Sequence, residues 1–133
     1  TMTLTQVLQV QVGTSLYGVP LDQIQQTMRL ESGDMQSVQG RSVIVFQDRV
    51  MPVVELKKEF GHGGNESEPQ YRYAVLLKNG VGLLVDAFRG QQEVVIKPLD
   101  PGLKHLTYLT GASILGDGSV LLILNGNGFA GIA

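Results

Sequence analysis

A mainly β fold follows from three features of the 133-residue sequence. Short apolar runs alternate with polar residues at the two-residue period of strands. Most of the 17 glycines fall between those runs, where a chain must turn. Two connections carry Asn79-Gly80 and Asp117-Gly118, dipeptides suited to tight hairpins. No long stretch repeats at helical period, so about eight to ten short strands and one or two short helices are expected, arranged as barrels or a sandwich.

In chain order, Leu8, Val10 and Val12 alternate with Gln9 and Gln11, giving a strand with one buried face. Gly13-Thr14-Ser15 turns it into a second run, Leu16 to Val19. Pro20 stops that run, because its ring removes a ladder donor. Asp22 is placed to cap a short helix on which Leu21, Ile24 and Met28 share one face, with Gln23, Gln25, Gln26 and Arg29 elsewhere. Residues 31–42 read as a loop. Ser42 to Phe46 and Arg49 to Val54 then form strands joined at Gln47-Asp48, with Pro52 marking an edge strand or a bulge. Glu55 to Phe60 adds a helical turn with Leu56 and Phe60 on one side.

The segment 61–69 offers no apolar residue to bury and is expected to be a flexible, exposed loop. Tyr71 to Leu77 and Val81 to Val85 pair next, across an Asn79-Gly80 turn expected to be a two-residue type I′. A polar β-run, Gln91 to Ile96, ends at Lys97-Pro98. Ala112 to Leu115 and Ser119 to Leu124 make the last hairpin, with Asp117-Gly118 expected to turn as Asn79-Gly80 does. The tail, Asn125 to Ala133, is too rich in glycine for a helix to be expected.

Composition narrows the function classes. One domain of this length buries roughly two-thirds of its unfolded surface. With 43% hydrophobic and 17% charged residues and a formal charge of −2, the chain has no basic field to gather phosphates, so nucleic acid is not expected as a partner. No apolar run nears the roughly 20 residues that span a bilayer, so no direct membrane insertion is expected. Cysteine is absent, which removes disulfides and thiolate metal sites and fits a cytoplasmic protein. The opening Thr1-Met2-Thr3 carries no signal-like segment and fits a fragment of a longer chain.

No constellation for catalysis emerges. His62 and His105 are the only histidines, and neither has a second ligand at metal spacing. Gly61-His62-Gly63-Gly64 lacks the Lys-Ser/Thr of a phosphate loop. Ser113 and Ser119 stand in no nucleophile elbow. Asp86 reads as a strand terminator and Glu93 as a solvent-facing strand residue, and the Gln91-Gln92 pair has no chemical role. No cofactor, metal or catalytic residue is therefore expected.

The blocks GQQEVVIKPL (residues 90–99) and GASILGDGS (residues 111–119) resemble the end of the CheW-like regulatory domain that closes CheA-type chemotaxis histidine kinases. Leu16-Tyr17-Gly18-Val19-Pro20-Leu21-Asp22-Gln23-Ile24, Arg49-Val50-Met51-Pro52-Val53-Val54-Glu55-Leu56 and Gly82-Leu83-Leu84-Val85-Asp86 resemble its earlier signatures, in the same order. Asn125, where the family often has aspartate, and the glycines after it depart from the pattern, and the lead-in Tyr108-Leu109-Thr110-Gly111 is closer to hybrid chemotaxis-like kinases.

The resemblance implies one CheW-like domain over residues 1–133, made of two packed, intertwined five-stranded SH3-like β-barrels. It implies a regulatory, non-catalytic role for this chain, whose full-length parent would be a histidine kinase. The implied partners are a CheW-type adaptor, the cytoplasmic tip of a chemoreceptor and the upstream kinase domain of the same chain, in the cytoplasm at membrane-associated receptor arrays. By the same resemblance, the partner interface would include Ile24, Gln26 and Thr27 on the first helix and Arg49, Val50 and Met51 on the following strand. Core and contact positions are both open for Ile24 and Val50, and substitution separates them: Ile24→Ala costs about 2–5 kcal/mol if Ile24 is core. Two other readings stay open, a free-standing CheW adaptor and a small β-barrel ligand binder or enzyme with residues 61–69 over a pocket.

Overall fold

Twelve strands and one α-helical turn make up the computed structural model, which describes residues 4–31, 33–61 and 72–130. The strands are β1 Leu4–Val12, β2 Ser15–Pro20, β3 Ile24–Arg29, β4 Met35–Val38, β5 Arg41–Phe46, β6 Arg49–Glu55, β7 Tyr73–Leu77, β8 Gly82–Val85, β9 Ala87–Val95, β10 Lys97–Pro98, β11 Leu109–Ile114 and β12 Val120–Leu124, with α1 at Leu56–Glu59. The fold is mainly β, as the alternating runs imply. The expected loop at 61–69 lies, beyond Gly61, outside the described residues.

The strands form two six-stranded sheets, ordered β10-β11-β12-β2-β1-β9 and β3-β7-β8-β6-β5-β4. Each holds one strand more than the five implied by the resemblance. The two orders share one topology. The hairpins β1–β2 and β11–β12 of the first correspond to β7–β8 and β5–β6 of the second. Each sheet has one parallel pair, β12–β2 or β6–β8, and its far edges are β9 and β3. The second unit is continuous in sequence, whereas the first combines the start of the chain with its end. The units are thus circular permutations of one motif.

The strand pattern distributes the apolar residues among three cores. Ile44, Met51, Val53, Ala74, Leu76 and Leu84 fill the continuous unit. Val7, Val94, Leu121 and Ile123 fill the split unit. The largest cluster is the seam, where Val10, Val12 and Val19 of one unit meet Val75, Leu83 and Val85 of the other. Burying aliphatic side chains there contributes about 1.5–3 kcal/mol each. Gly18 and Gly82 occupy matching places, each opposite a core residue of the parallel strand, Ile123 and Val53. A Cβ would meet Ile123 at 2.9 Å in one and Val53 at 3.1 Å in the other, so a larger residue at either position must push a core side chain aside.

Several local expectations are corrected. The helix after Pro20 is only a 3₁₀ turn, Leu21–Gln23, without a side-chain cap from Asp22, and residues 24–29 are strand β3. Ile24 and Met28 are four apart, which satisfies a strand as well as a helix. A bulge between Ile24 and Gln26 sends Ile24 to the seam and Met28 to the core of the continuous unit. Within the expected loop 31–42, Met35–Val38 forms edge strand β4.

The hairpin turns also differ from expectation. Leu77 N–H donates to Val81 and Gly80 N–H to Leu77, a three-residue loop with positive φ at Gly80 and not at Asn79. Leu115, Gly118 and Ser119 repeat that pattern. Asn79 and Asp117 serve instead as side-chain acceptors for Val81 and Ser119 N–H. The two-residue turns with positive φ at both positions are Gln39-Gly40 and Gln47-Asp48, matching type I′. Pro52 lies in a strand that is central in the sheet, but pairing with β8 begins only at Val53, so its missing N–H breaks no ladder.

Candidate protein-binding surfaces

An open groove of about 440 Å³ runs along the boundary of the units. Leu21, Ile24 and Thr27 line one side, and Leu8, Phe88 and Gln91 the other. Its walls are β3 and β9, the equivalent edge strands of the two sheets, so each wall offers a row of unpaired backbone groups on its outer side. Both strands are bulged, β3 at Gln25 and β9 opposite Leu8–Val10. Bulges re-aim side chains at a strand edge. The Phe88 ring packs against Tyr73 of β7 in the other unit, their rings 4.8 Å apart.

A second kind of surface recurs at the free hairpins. On β5–β6, Val45 pairs with Val50, leaving them 38% and 63% exposed. On β11–β12, Ile114 pairs with Val120, and these are 59% and 58% exposed. The two pairs stand in topologically equivalent hairpins. On the β5–β6 face, exposed Pro52 extends the apolar stripe beside buried Val43, its cross-strand partner. Contiguous exposed apolar area of this kind marks a contact surface.

The six residues implied by the resemblance do not share one patch. Ile24 and Thr27 line the groove, and Gln26 is exposed on the same strand. Arg49 and Val50 are exposed on β6, which β7 and β8 separate from β3 in the sheet. Met51 is 2% exposed and fills the core of the continuous unit, so its side chain reaches no partner. Strand alternation explains the split: Val50 and Met51 are neighbours and point to opposite faces. The sequence reading missed Val45, Ile114 and Val120. Their signal lies in the unbroken apolar runs Val43–Phe46, Ile114-Leu115 and Val120–Leu124, which place apolar residues on both faces of a hairpin.

The polar groups have structural partners. Asp86 forms an ion pair with Lys57 at 2.7 Å and does not act with Glu93, which is exposed on β9. Gln92 accepts a hydrogen bond from Gln9 across the β1–β9 ladder, a structural use for one of the paired glutamines. Burial pushes the Tyr17 phenol above its usual range. The Ser119 hydroxyl, donating at 2.5 Å, holds the Asp117 carboxyl below its own. His105 is exposed, and His62 lies outside the described residues. Among the described residues, no three of His, Asp and Glu converge to hold a metal, and no helix is long and apolar enough to cross a membrane.

Comparison with known proteins fits this geometry. The family model for the CheW-like domain matches residues 6–131. The chain is 33% identical over 130 residues to the chemotaxis protein CheA of Bacillus subtilis, covering 96% of this chain and 19% of that protein. It is 34% identical over 129 residues to the chemotaxis protein CheA of Treponema pallidum, covering 94% and 16%. The chain thus spans less than a fifth of the length of these curated relatives. The crystal structure of the scaffolding protein TtCheW from Thermoanaerobacter tengcongensis has the same fold, with a TM-score of 0.76 and 17% identity, over 92% of this chain and 90% of that one. With the family model matched almost end to end and two CheA proteins aligned along nearly the whole chain, the protein belongs to the CheW-like domain family.

Proposed function

We propose that this chain is the regulatory scaffold domain of a CheA-type chemotaxis histidine kinase, active in the cytoplasm at receptor arrays and performing no chemistry itself. The observation that carries the reading is the pairing of an apolar groove between two sheet edges with exposed apolar pairs at the equivalent hairpins. The groove suits the helical tip of a chemoreceptor, whose apolar side chains would insert between Ile24 and Phe88. The hairpin pairs suit a CheW-type adaptor built on the same topology, which would present equivalent ends in return. The upstream kinase domain would then sense both contacts through its connection to this domain.

The test is sedimentation of the chain with the adaptor encoded beside its gene, repeated with Val50→Glu. Val50 is 63% exposed, so the variant keeps its fold within about 0.5 kcal/mol. A one-to-one complex of micromolar strength that the folded variant loses supports the reading. Two independent monomers with the parent chain contradict it.

One observation favours a second reading, a free-standing adaptor: the chain covers 90% of TtCheW, a scaffolding protein of closely similar extent. The gene decides between the two. Phosphotransfer and ATP-binding domains encoded in the same reading frame establish the kinase, and their absence establishes the adaptor.

A further inference from the structure

The chain crosses between its two units at only two described places. It leaves the split unit through the turn Leu21–Gln23, and it returns at Asp86, the residue between β8 and β9. Each crossing is pinned by one side chain that bonds to the opposite unit. The two pins differ in chemistry.

At the first crossing, the Gln23 carbonyl accepts from Lys78 N–H of the continuous unit at 3.0 Å. Its side-chain Oε1 accepts from Gly126 N–H, in the turn after β12 of the split unit, at 2.7 Å. Asn79 closes the loop by donating from Nδ2 to the Gly126 carbonyl at 3.0 Å. All of these bonds are between neutral groups.

At the second crossing, Asp86 N–H donates to the Gln11 carbonyl of β1 at 2.8 Å. Its Oδ2 accepts from Gly13 N–H, in the β1–β2 turn of the split unit, at 2.7 Å. Its Oδ1 meets Lys57 Nζ, on α1 of the continuous unit, at 2.7 Å. The network continues into the groove wall, because Arg89 on β9 donates to Gln11 Oε1 at 2.7 Å. This pin is ionic, and both of its charged side chains are a little over one-fifth exposed.

The groove residues sit beside these pins. Leu21 and Ile24 flank Gln23, and Phe88 follows two residues after Asp86. Apolar packing in the seam holds the units together but is non-directional. Hydrogen bonds of fixed geometry set an angle.

We propose that Gln23 and Asp86 are positioning residues, a neutral and an ionic latch that together fix the angle between the units and so the width of the β3–β9 groove. The consequence for partner binding rests on the groove reading above, whereas the test does not. Spin labels at Gln26→Cys and Gln91→Cys, both exposed and on opposite walls, are the only thiols in this chain. The distance between them is read by double electron–electron resonance with no partner present.

Gln23→Ala and Asp86→Ala each broaden the distance distribution, and the two together broaden it further. Asp86→Asn keeps an acceptor for Gly13 while losing the charge that meets Lys57, and falls between Asp86→Ala and the parent. Raising salt to about 1 M, where the screening length drops to about 3 Å, widens the Gln23→Ala distribution further, because only the ionic latch remains. The same salt leaves the Asp86→Ala distribution unchanged. Should an alanine variant fail to fold, Gln23→Met and Asp86→Asn carry the same comparison. A parent-width distribution in a folded variant of either residue overturns the proposal, as does equal salt response in the two.

Discussion

The two units of this domain share a topology and differ in how much they can stand alone. The continuous unit, β3 to β8, has a core of six buried residues among those described, and the split unit has four. The missing interior of the split unit is found at the seam, where Tyr17, Leu124 and Phe129 join Val10, Val12 and Val19. There Phe60, from the end of α1, lies 4.7 Å from the Tyr17 ring and 5.2 Å from Tyr108. The lesson is one of dependence. Both units bury residues in the seam, and the split unit, formed from the two ends of the chain, leans on it more because its own core is smaller.

Phe129→Ala breaks this arrangement most severely. The side chain is fully buried at the seam and stacks on Tyr108 at 5.8 Å, so its loss costs about 3–5 kcal/mol in denaturant unfolding. A loss below about 1 kcal/mol would mean that the seam does not hold the split unit. Gly18→Ala and Gly82→Ala compare the matched crowding points directly. Gly18 has three side-chain atoms within 3.3 Å of an added Cβ and Gly82 has one at 3.1 Å. Both substitutions destabilise, by about 1–3 kcal/mol, and Gly18→Ala does so more. The opposite order would refute the tighter packing of the split unit.

The equivalent hairpins β5–β6 and β11–β12 are closed by different turns. Gln47 and Asp48 both adopt positive φ without being glycine, whereas Gly118 supplies the positive φ of the other. Replacing Gln47-Asp48 by Asn-Gly is expected to raise stability by about 1 kcal/mol, seen as a higher unfolding midpoint.

The smallest effect at neutral pH belongs to Tyr17→Phe. Because burial raises the Tyr17 pKa, the folded state holds its proton more tightly than the unfolded one. That stabilisation is complete below the ordinary value of 10.0 and is lost as pH rises through the folded pKa. Melting temperatures from pH 8 to 11.5 should fall less steeply above about pH 10 in Tyr17→Phe than in the parent.

Much of the fold was legible in the sequence because strand period and turn residues coincide. Leu8, Val10 and Val12 do face one core, and Leu56 and Phe60 do lie together at the seam. What stayed hidden was long-range. The spacing of Ile24 and Met28 fits two periods, and only pairing with β7 chooses the strand. β4 reads as a loop because Gln36 and Ser37 give it no apolar alternation, and its existence depends on β5. Of the residues that the resemblance implied, Thr27 lines the groove and Val50 is exposed, whereas alternation within β6 buries Met51. The groove itself could not be read, since β3 and β9 lie more than fifty residues apart and meet only through the seam.

The central claim is that one ligand engages both units through their equivalent edge strands. It is tested most directly by titrating the ¹⁵N-labelled chain with a helical hairpin that carries a chemoreceptor tip sequence, and following amide shifts. Simultaneous changes are expected at Ile24–Thr27 and at Phe88–Gln91, lost together in Thr27→Arg. Shifts confined to one of these strands, or to the β5–β6 and β11–β12 hairpins, would contradict it.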